Sequence, residues 1–511
     1  MESQPQAFVV VDPARRQLEY SRHVFGHFIE HFHRQVYGGI YEPGSPLADD
    51  RGFRLDVLQA LRELRVPNVR WPGGCFVSAY HWIDGIGPRR EPVYDPAWRV
   101  TDPNTFGTDE FVEWCSELGA KPYICTNAGS GTPEEMANWL EYANLEVGSR
   151  WSNLRARTGH TEPYDIPFWS IGNENYGDWE IGAKAGHEWA AFVREAGKRM
   201  RRIDPSVKLL AAAVDDTEWA LPLLREAGQF LDYISIHGYW DKLGTVNEPS
   251  PYLACMAMTL QPERLIEWAR ALIVTSGQAH VKIAFDEWNL RGWHHPWGSN
   301  GPAIAARDLN DDNSTYTMAD AVFAAVFLNS CIRNGDIVGM ANIAPTVNTR
   351  GPLFVHKGGI VKRTTFHVIS MYANLLGPRS VDTAVSSVNL RTGSGDVPLV
   401  DALATCGDDG QLTVVLVNKG DCREATVHLR VGGEPVTGTR KGVVLSGPSP
   451  DAYNDVASPS LVTPKEATLE FHAGVAVVPP HSVTFCSIDG SRSTAEDLEW
   501  SRTSAGPWIR R

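Results

Sequence analysis

Cysteine is scarce in this chain: eight residues in 511, at Cys75, Cys115, Cys125, Cys255, Cys331, Cys406, Cys422 and Cys486, with no C-x-x-C pair among them. That spacing excludes a disulfide framework and predicts reduced thiols in a cytoplasmic compartment. Positive charge is also short. Lys and Arg number 47 against 61 Asp and Glu, a net charge of −14, so the basic surface that nucleic acid or an anionic membrane requires is missing. No stretch approaches the roughly 18 apolar residues of a membrane-spanning helix. The opening MESQPQAFVVVDPARRQ lacks a basic segment leading into an apolar one, so no secretory leader is expected. Internal repeats and low-complexity blocks are absent. So is a Gly-x-Gly-x-x-Gly after the first apolar run, which argues against a dinucleotide-binding sheet.

What the chain does have is alternation. Val24–His31, Asn68–Trp71, Tyr123–Thr126, Phe168–Ile171, Val207–Val214, Tyr233–Ile236, Val281–Phe285 and Val338–Ile343 are short apolar runs. Each is followed by a helix-period segment, as in Trp189, Phe192, Val193, Ala196, Met200 and Ile203 before Pro205. Strands apolar on both faces, each with its helix, predict a parallel sheet, and a count of eight predicts a closed (β/α)8 TIM barrel over residues 21–377. Beyond residue 378 the period falls to two. Leu412–Val417, Ala425–Val431 and Val475–Val478 lie between Gly, Asp, Asn and Pro clusters, which predicts an antiparallel, jelly-roll-like β-sandwich over 378–486. Phe8–Val11 in the first 20 residues is expected to add a strand to it, and 487–511 reads as a polar tail.

Active sites of such barrels form at the C-terminal ends of the strands. Strand four ends in Gly172-Asn173-Glu174-Asn175 and strand seven in Asp286-Glu287-Trp288-Asn289. Each brings a carboxylate to the same rim, and two carboxyls about 5–5.5 Å apart suit a retaining glycoside hydrolase. Adjacent strand residues face opposite ways, so only one of Asp286 and Glu287 is expected to enter the pocket. Glu30, Arg70, Asn127, His237 and Tyr239 end other strands. Arg70, by charge, and Tyr239, by a hydrogen bond, are placed to keep a carboxylate ionised, and Asn173 to bond a sugar hydroxyl. Trp82, Trp179, Trp288, Trp293 and Trp297 offer flat apolar faces to a sugar ring, or pack the loops.

His27-Phe28-Ile29-Glu30-His31 matches H-x-x-E-H, a zinc-peptidase pattern. That chemistry needs a helix, and this segment reads as strand and loop, where the two imidazoles lie too far apart to share one ion. His294-His295 is a loop pair without further spaced ligands.

Taken together these motifs resemble the α-L-arabinofuranosidases of glycoside hydrolase family 51. The likeness rests on Phe25-Gly26-His27-Phe28-Ile29-Glu30-His31, Tyr37-Gly38-Gly39-Ile40-Tyr41, Arg70-Trp71-Pro72-Gly73-Gly74-Cys75-Phe76, Tyr80-His81-Trp82 with Asp84-Gly85-Ile86-Gly87-Pro88, Gly172-Asn173-Glu174, Asp286-Glu287-Trp288-Asn289 and Pro479-Pro480-His481-Ser482-Val483-Thr484. It implies Glu174 as general acid/base, protonated in the first step, and Glu287 as nucleophile. Glu30, Arg70, Asn173 and Tyr239 match positions that hold the furanosyl ring or orient the carboxylates. Cys75 and His237 are further substrate-binding candidates. The resemblance implies arabinofuranoside side chains as substrate, removed from the non-reducing end with retention, no metal or organic cofactor, and a homo-oligomer, commonly a hexamer. Cys75, where some relatives have Asn, and Pro345, where many have Gln, bear on sugar specificity. The alternatives are a retaining β-xylosidase or β-glucanase on the same scaffold, and an inert carbohydrate-binding protein.

Overall fold

The computed structural model describes residues 6–243, 248–292 and 311–488. Eight parallel strands close into a barrel: in chain order Gly26–Phe28, Asn68–Trp71, Lys121–Thr126, Phe168–Ile171, Lys208–Ala213, Tyr233–Asp241, Lys282–Arg291 and Val338–Ile343. Each pairs with its successor, and the eighth returns to the first through Asn342 opposite Gly26 and Ile343 opposite His27. The first strand is shorter than its apolar run. Arg22–Phe25 winds into a 3-10 turn capped by the Ser21 side chain, and the chain beyond Phe28 is loop.

Burial explains the apolar composition of the strands. Tyr123, Phe168, Leu210, Ala284 and Met340 fill the barrel interior, while Trp169, Leu209, Ile234 and Ile283 pack outward in the main core with the helices. The helix Gly186–Ile203 buries Trp189, Ala190, Val193, Ala196, Gly197 and Met200 along one face and stops at Asp204, one residue before Pro205.

Ala7–Glu19 and strands from Arg379 onward build one ten-stranded sheet. It is antiparallel except where Ala7–Glu19 runs parallel to Ala425–Val431 while pairing antiparallel with Arg379–Ser387. Strands from opposite ends of its pairing order, Ala425–Val431 and Lys465–Phe471, contribute Val427, Leu429, Leu469 and Phe471 to one buried cluster, so the sheet folds over onto itself as the two layers of a sandwich. Ser487 and Ile488 complete its last strand; the tail expected beyond them lies outside the described residues.

Candidate active site

Strand four stops at Ile171, and the chain turns through Gly172 and Glu174, whose φ angles are 69° and 42°. A Cβ at residue 172 would lie 2.1 Å from Asn175 Oδ1 and 2.6 Å from the Trp189 ring, so glycine is required. Glu174 adopts the left-handed region although it carries a Cβ, and the Gly177 N–H donates to its carbonyl at 2.8 Å. Residues held in this region gather at functional sites. The turn places the Glu174 carboxylate at the barrel mouth, where Trp179 Nε1 donates to Oε2 at 2.7 Å and the Tyr176 hydroxyl donates to Oε1 at 3.3 Å.

On strand seven only Glu287 of the acidic pair lines the cavity, as expected, but strict alternation is not the reason. Ala284 pairs with Ser235 but Glu287 with His237, and Phe285 pairs with Ala341 but Trp288 with Ile343. Three steps on strand seven therefore match two on each neighbour, a bulge that re-aims side chains. Both carboxylates consequently turn inward. Asp286 is fully buried, accepting from the Tyr123 hydroxyl at 2.6 Å and the Ser235 hydroxyl at 2.5 Å. Burial opposes its charge, yet Arg70, His237 and Ser235 hold its carboxyl down at about 2. Glu287 sits one step higher, in the cavity.

Arg70 ties these levels together. Its Nε lies 3.3 Å from Asp286, Nη1 donates to Glu287 Oε1 at 2.5 Å, and Nη2 donates to Asn173 Oδ1 at 2.7 Å. The Tyr239 hydroxyl donates to the other Glu287 oxygen at 2.7 Å. His237 stands between the two rim carboxylates, its Nδ1 2.8 Å from Glu174 and 3.6 Å from Glu287. Its Nε2 is 3.5 Å from Asp286. Burial disfavours its charge, but Glu287, Asp286 and Glu174 push the imidazole up to about 10. One oxygen of Glu174, one of Glu287 and a ring nitrogen of His237 lie within 4.8 Å of one another.

These groups line a cavity of about 460 Å³, with Glu30, Cys75 and Asn173 on its walls. The Glu30 carboxylate accepts from the Phe76 N–H at 2.9 Å and from Trp98 Nε1 at 2.8 Å, and burial, reinforced by Glu287, pushes it up to about 8. Its approach leaves no room for side chains at Gly73 and Gly74, where a Cβ would meet it at 2.6 and 2.9 Å. Of the eight catalytic and substrate-binding candidates, seven line the cavity, and the fully buried Arg70 bonds two of them, Glu287 and Asn173. Burial holds the Cys75 thiol well above its usual range, in its protonated form. An imidazole this close to two carboxylates can pass a proton to either.

Other candidates separate from the site. His27 is buried in strand one with neither ring nitrogen partnered, while His31 bonds Asp102 at 2.6 Å and accepts from Trp71 at 2.9 Å; the pair shares no ligand position. Trp82 stacks parallel to Trp139 and Trp288 on Phe327, both in the core. Asn127 accepts from the Gly129 N–H of its own loop and donates to the Tyr80 carbonyl after strand two, and Pro345 is buried away from the cavity lining. Trp293, Trp297, His294 and His295 lie outside the described residues. Sequence reasoning missed Trp98, Tyr176, Glu180 and Arg350, which reach the cavity or its wall from loops whose composition carries no periodic signal.

Residues 60–254 match the family model described as alpha-L-arabinofuranosidase 1 domain, and residues 286–482 match alpha-L-arabinofuranosidase C-terminal domain. The chain is 35% identical over 476 residues to alpha-L-arabinofuranosidase C of Emericella nidulans, covering 85% of this chain and 91% of that protein. It is 34% identical over 441 residues to an intracellular exo-alpha-(1->5)-L-arabinofuranosidase of Halalkalibacterium halodurans, covering 81% and 85%. The solved GH51 alpha-L-arabinofuranosidase from Thermotoga petrophila matches with a TM-score of 0.82 and 35% identity, over 94% of this chain and all of that one.

Proposed function

The chain belongs to the family 51 α-L-arabinofuranosidases and is such a hydrolase; from that premise we propose that it removes terminal non-reducing arabinofuranosyl residues with retention, Glu287 acting as nucleophile and Glu174 as acid/base. The observation that carries the mechanism is the spacing of the two carboxylates, whose nearest oxygens lie within 4.8 Å. So close an approach fits the roughly 5–5.5 Å carboxyl separation of retaining enzymes better than the ~6.5–9.5 Å of inverting ones.

Arg70 and Tyr239 each hold one oxygen of Glu287, fixing it for attack on the anomeric carbon and favouring its ionised form. Glu174, whose Oε1 lies 2.8 Å from His237 Nδ1, delivers its own proton to the glycosidic oxygen. Glu174 then accepts a proton from the water that cleaves the furanosyl–Glu287 ester. Asn173 and Glu30, anchored from beneath and from the side, bind ring hydroxyls, with Cys75 beside them. The exo mode and arabinose-bearing oligosaccharides or polysaccharides as substrates follow the relative named as an exo-enzyme. A cytoplasmic location is supported by eight free cysteines and by that relative's intracellular name. A homohexamer is the proposed assembly, to be measured by sedimentation.

The test compares 4-nitrophenyl α-L-arabinofuranoside hydrolysis by the wild type, Glu174→Ala and Glu287→Ala, with and without azide. Rescue of Glu174→Ala to the glycosyl azide of retained configuration, and of Glu287→Ala only to the inverted one, supports both roles. The reverse pattern exchanges them, and absence of rescue in both removes the assignment.

A further inference from the structure

Glu180 is a third carboxyl at this site that the acid/base chemistry does not use. It sits in the Gly177–Gly182 turn after strand four and is 4% exposed. The Ser78 hydroxyl donates to its Oε1, and Asn173 Nδ2 donates to its Oε2 at 3.3 Å. The Cys75 thiol is a further hydrogen-bond partner. One oxygen of Glu180, one of Glu174 and Cys75 Sγ lie within 4.8 Å of one another. The Asn173 amide is thus held at both ends, its oxygen by Arg70 and its nitrogen by Glu180, which leaves the second amide N–H for the cavity.

Asp286 provides the contrast. It is equally buried but faces Arg70 and His237, whereas no cation pairs with Glu180 among the described residues. The groups facing it are Ser78, Asn173, Cys75, Glu174 and Tyr176. A buried carboxyl with no cation beside it and another carboxyl within 4.8 Å favours its neutral form.

We propose that Glu180 is a positioning residue that works as a neutral carboxylic acid: it fixes the Asn173 amide against Arg70 and, by keeping its proton, spares Glu174 a second adjacent negative charge. The inference rests on the roles proposed above for Asn173 and Glu174. A charged neighbour would hold the Glu174 proton too tightly for the second step, in which Glu174 must be ionised. Burial, with Glu174 adding to it, outweighs the hydrogen bonds from Cys75, Ser78 and Asn173 and pushes Glu180 up to about 8.

The experiment compares Glu180→Ala and Glu180→Gln on the full chain, with thermal unfolding as a check on folding. Glu180→Ala is expected to lower kcat/KM about tenfold or more, the scale of one lost buried hydrogen bond, and Glu180→Gln, neutral and able to accept from Asn173, to restore most of that loss. The alkaline limb of kcat/KM stays in place in Glu180→Gln. Infrared difference spectra of wild type minus Glu180→Gln at pH 7 show a protonated-carboxyl C=O band that disappears as pH rises through about 8. A Gln variant as impaired as Ala, with its alkaline limb moved to lower pH, would mean that Glu180 works as an anion and overturns the proposal. Two wild-type-like variants, or no such band, overturn it as well. If Glu180→Ala does not fold, the Gln variant and the band decide. Failure of azide to rescue Glu174→Ala would sink the acid/base reading while leaving the band unaffected, so the two failures are distinguishable.

Discussion

Arg70 has no exposed surface and divides one guanidinium among Asp286, Glu287 and Asn173. A planar fork reaches three acceptors in fixed directions, which a lysine ammonium cannot do. Arg70→Lys is therefore expected to cut kcat/KM by about 100-fold or more, as a buried charged network loses its geometry; a loss under threefold in steady-state rates would dismiss the network argument. Tyr239→Phe removes one donor from Glu287 and keeps the ring under Arg350. The loss should be about 10–100-fold and fall mainly on kcat, since the bond orients the nucleophile. A second residue-scale effect concerns stability. Burial pushes the unpartnered His27 down to about 3, so the unfolded chain takes up a proton near pH 6.5 that the folded one refuses. Its contribution is complete above pH 6.5 and is lost as pH falls towards 3, by about 1.4 kcal/mol per pH unit. His27→Leu should flatten the acid limb of the stability–pH curve; urea melts at pH 7, 6 and 5 running parallel to wild type would show that His27 is not the group responsible.

At the scale of elements, legibility in the sequence followed burial. Strands four and eight are apolar because both faces are covered, and their runs coincide with the observed Phe168–Ile171 and Val338–Ile343. Glu174 and Glu287 were legible because they follow closely on apolar runs, although strand seven itself continues past Glu287 to Arg291. The bulge that turns both Asp286 and Glu287 inward was not legible, since strict alternation assumes an unbroken register. Leu412–Val417 disguised its alternation for a related reason: Val414 and Leu416 enter the sandwich core while Val415 and Val417 enter the barrel's. Glu180 and Trp98 act from loops, where position depends on the folded neighbours rather than on any period. The turn after strand four is the element on which activity depends most sharply. Gly172→Ala sets a Cβ against Asn175 and Trp189 at a φ of 69°. It should cost about 2–4 kcal/mol of strain and overpacking and displace Glu174, so thermal midpoint and kcat should fall together. A variant that loses stability with full kcat would show that the turn does not position the carboxylate.

For the whole molecule the issue is whether barrel and sandwich act as separate bodies. Their junction is a continuation of the barrel core. Leu403, Val415, Val417, Val483 and Phe485 of the sheet belong to the same buried cluster as the helices Met318–Arg333 and Thr364–Leu375. Phe485 meets Tyr372 edge to face at 5.2 Å, and the Tyr372 hydroxyl donates to Asn329 at 2.7 Å. Across the same junction Arg333 and Asn329 both bond Asp401 of the sheet, at 2.7 and 3.0 Å. An apolar interface crossed by half-buried polar contacts resembles a domain interior more than a hinge between transiently docked parts. Neither layer can expose that face without losing much of its stability, so calorimetry should record one unfolding transition. Phe485→Ala, which opens a cavity in the junction, should lower stability by about 3–5 kcal/mol. Because the junction does not line the catalytic cavity, KM for the aryl arabinofuranoside should stay within twofold of wild type. Two resolved transitions in the wild type, with Phe485→Ala shifting only one, would instead mean that the sandwich folds on its own and merely accompanies the barrel.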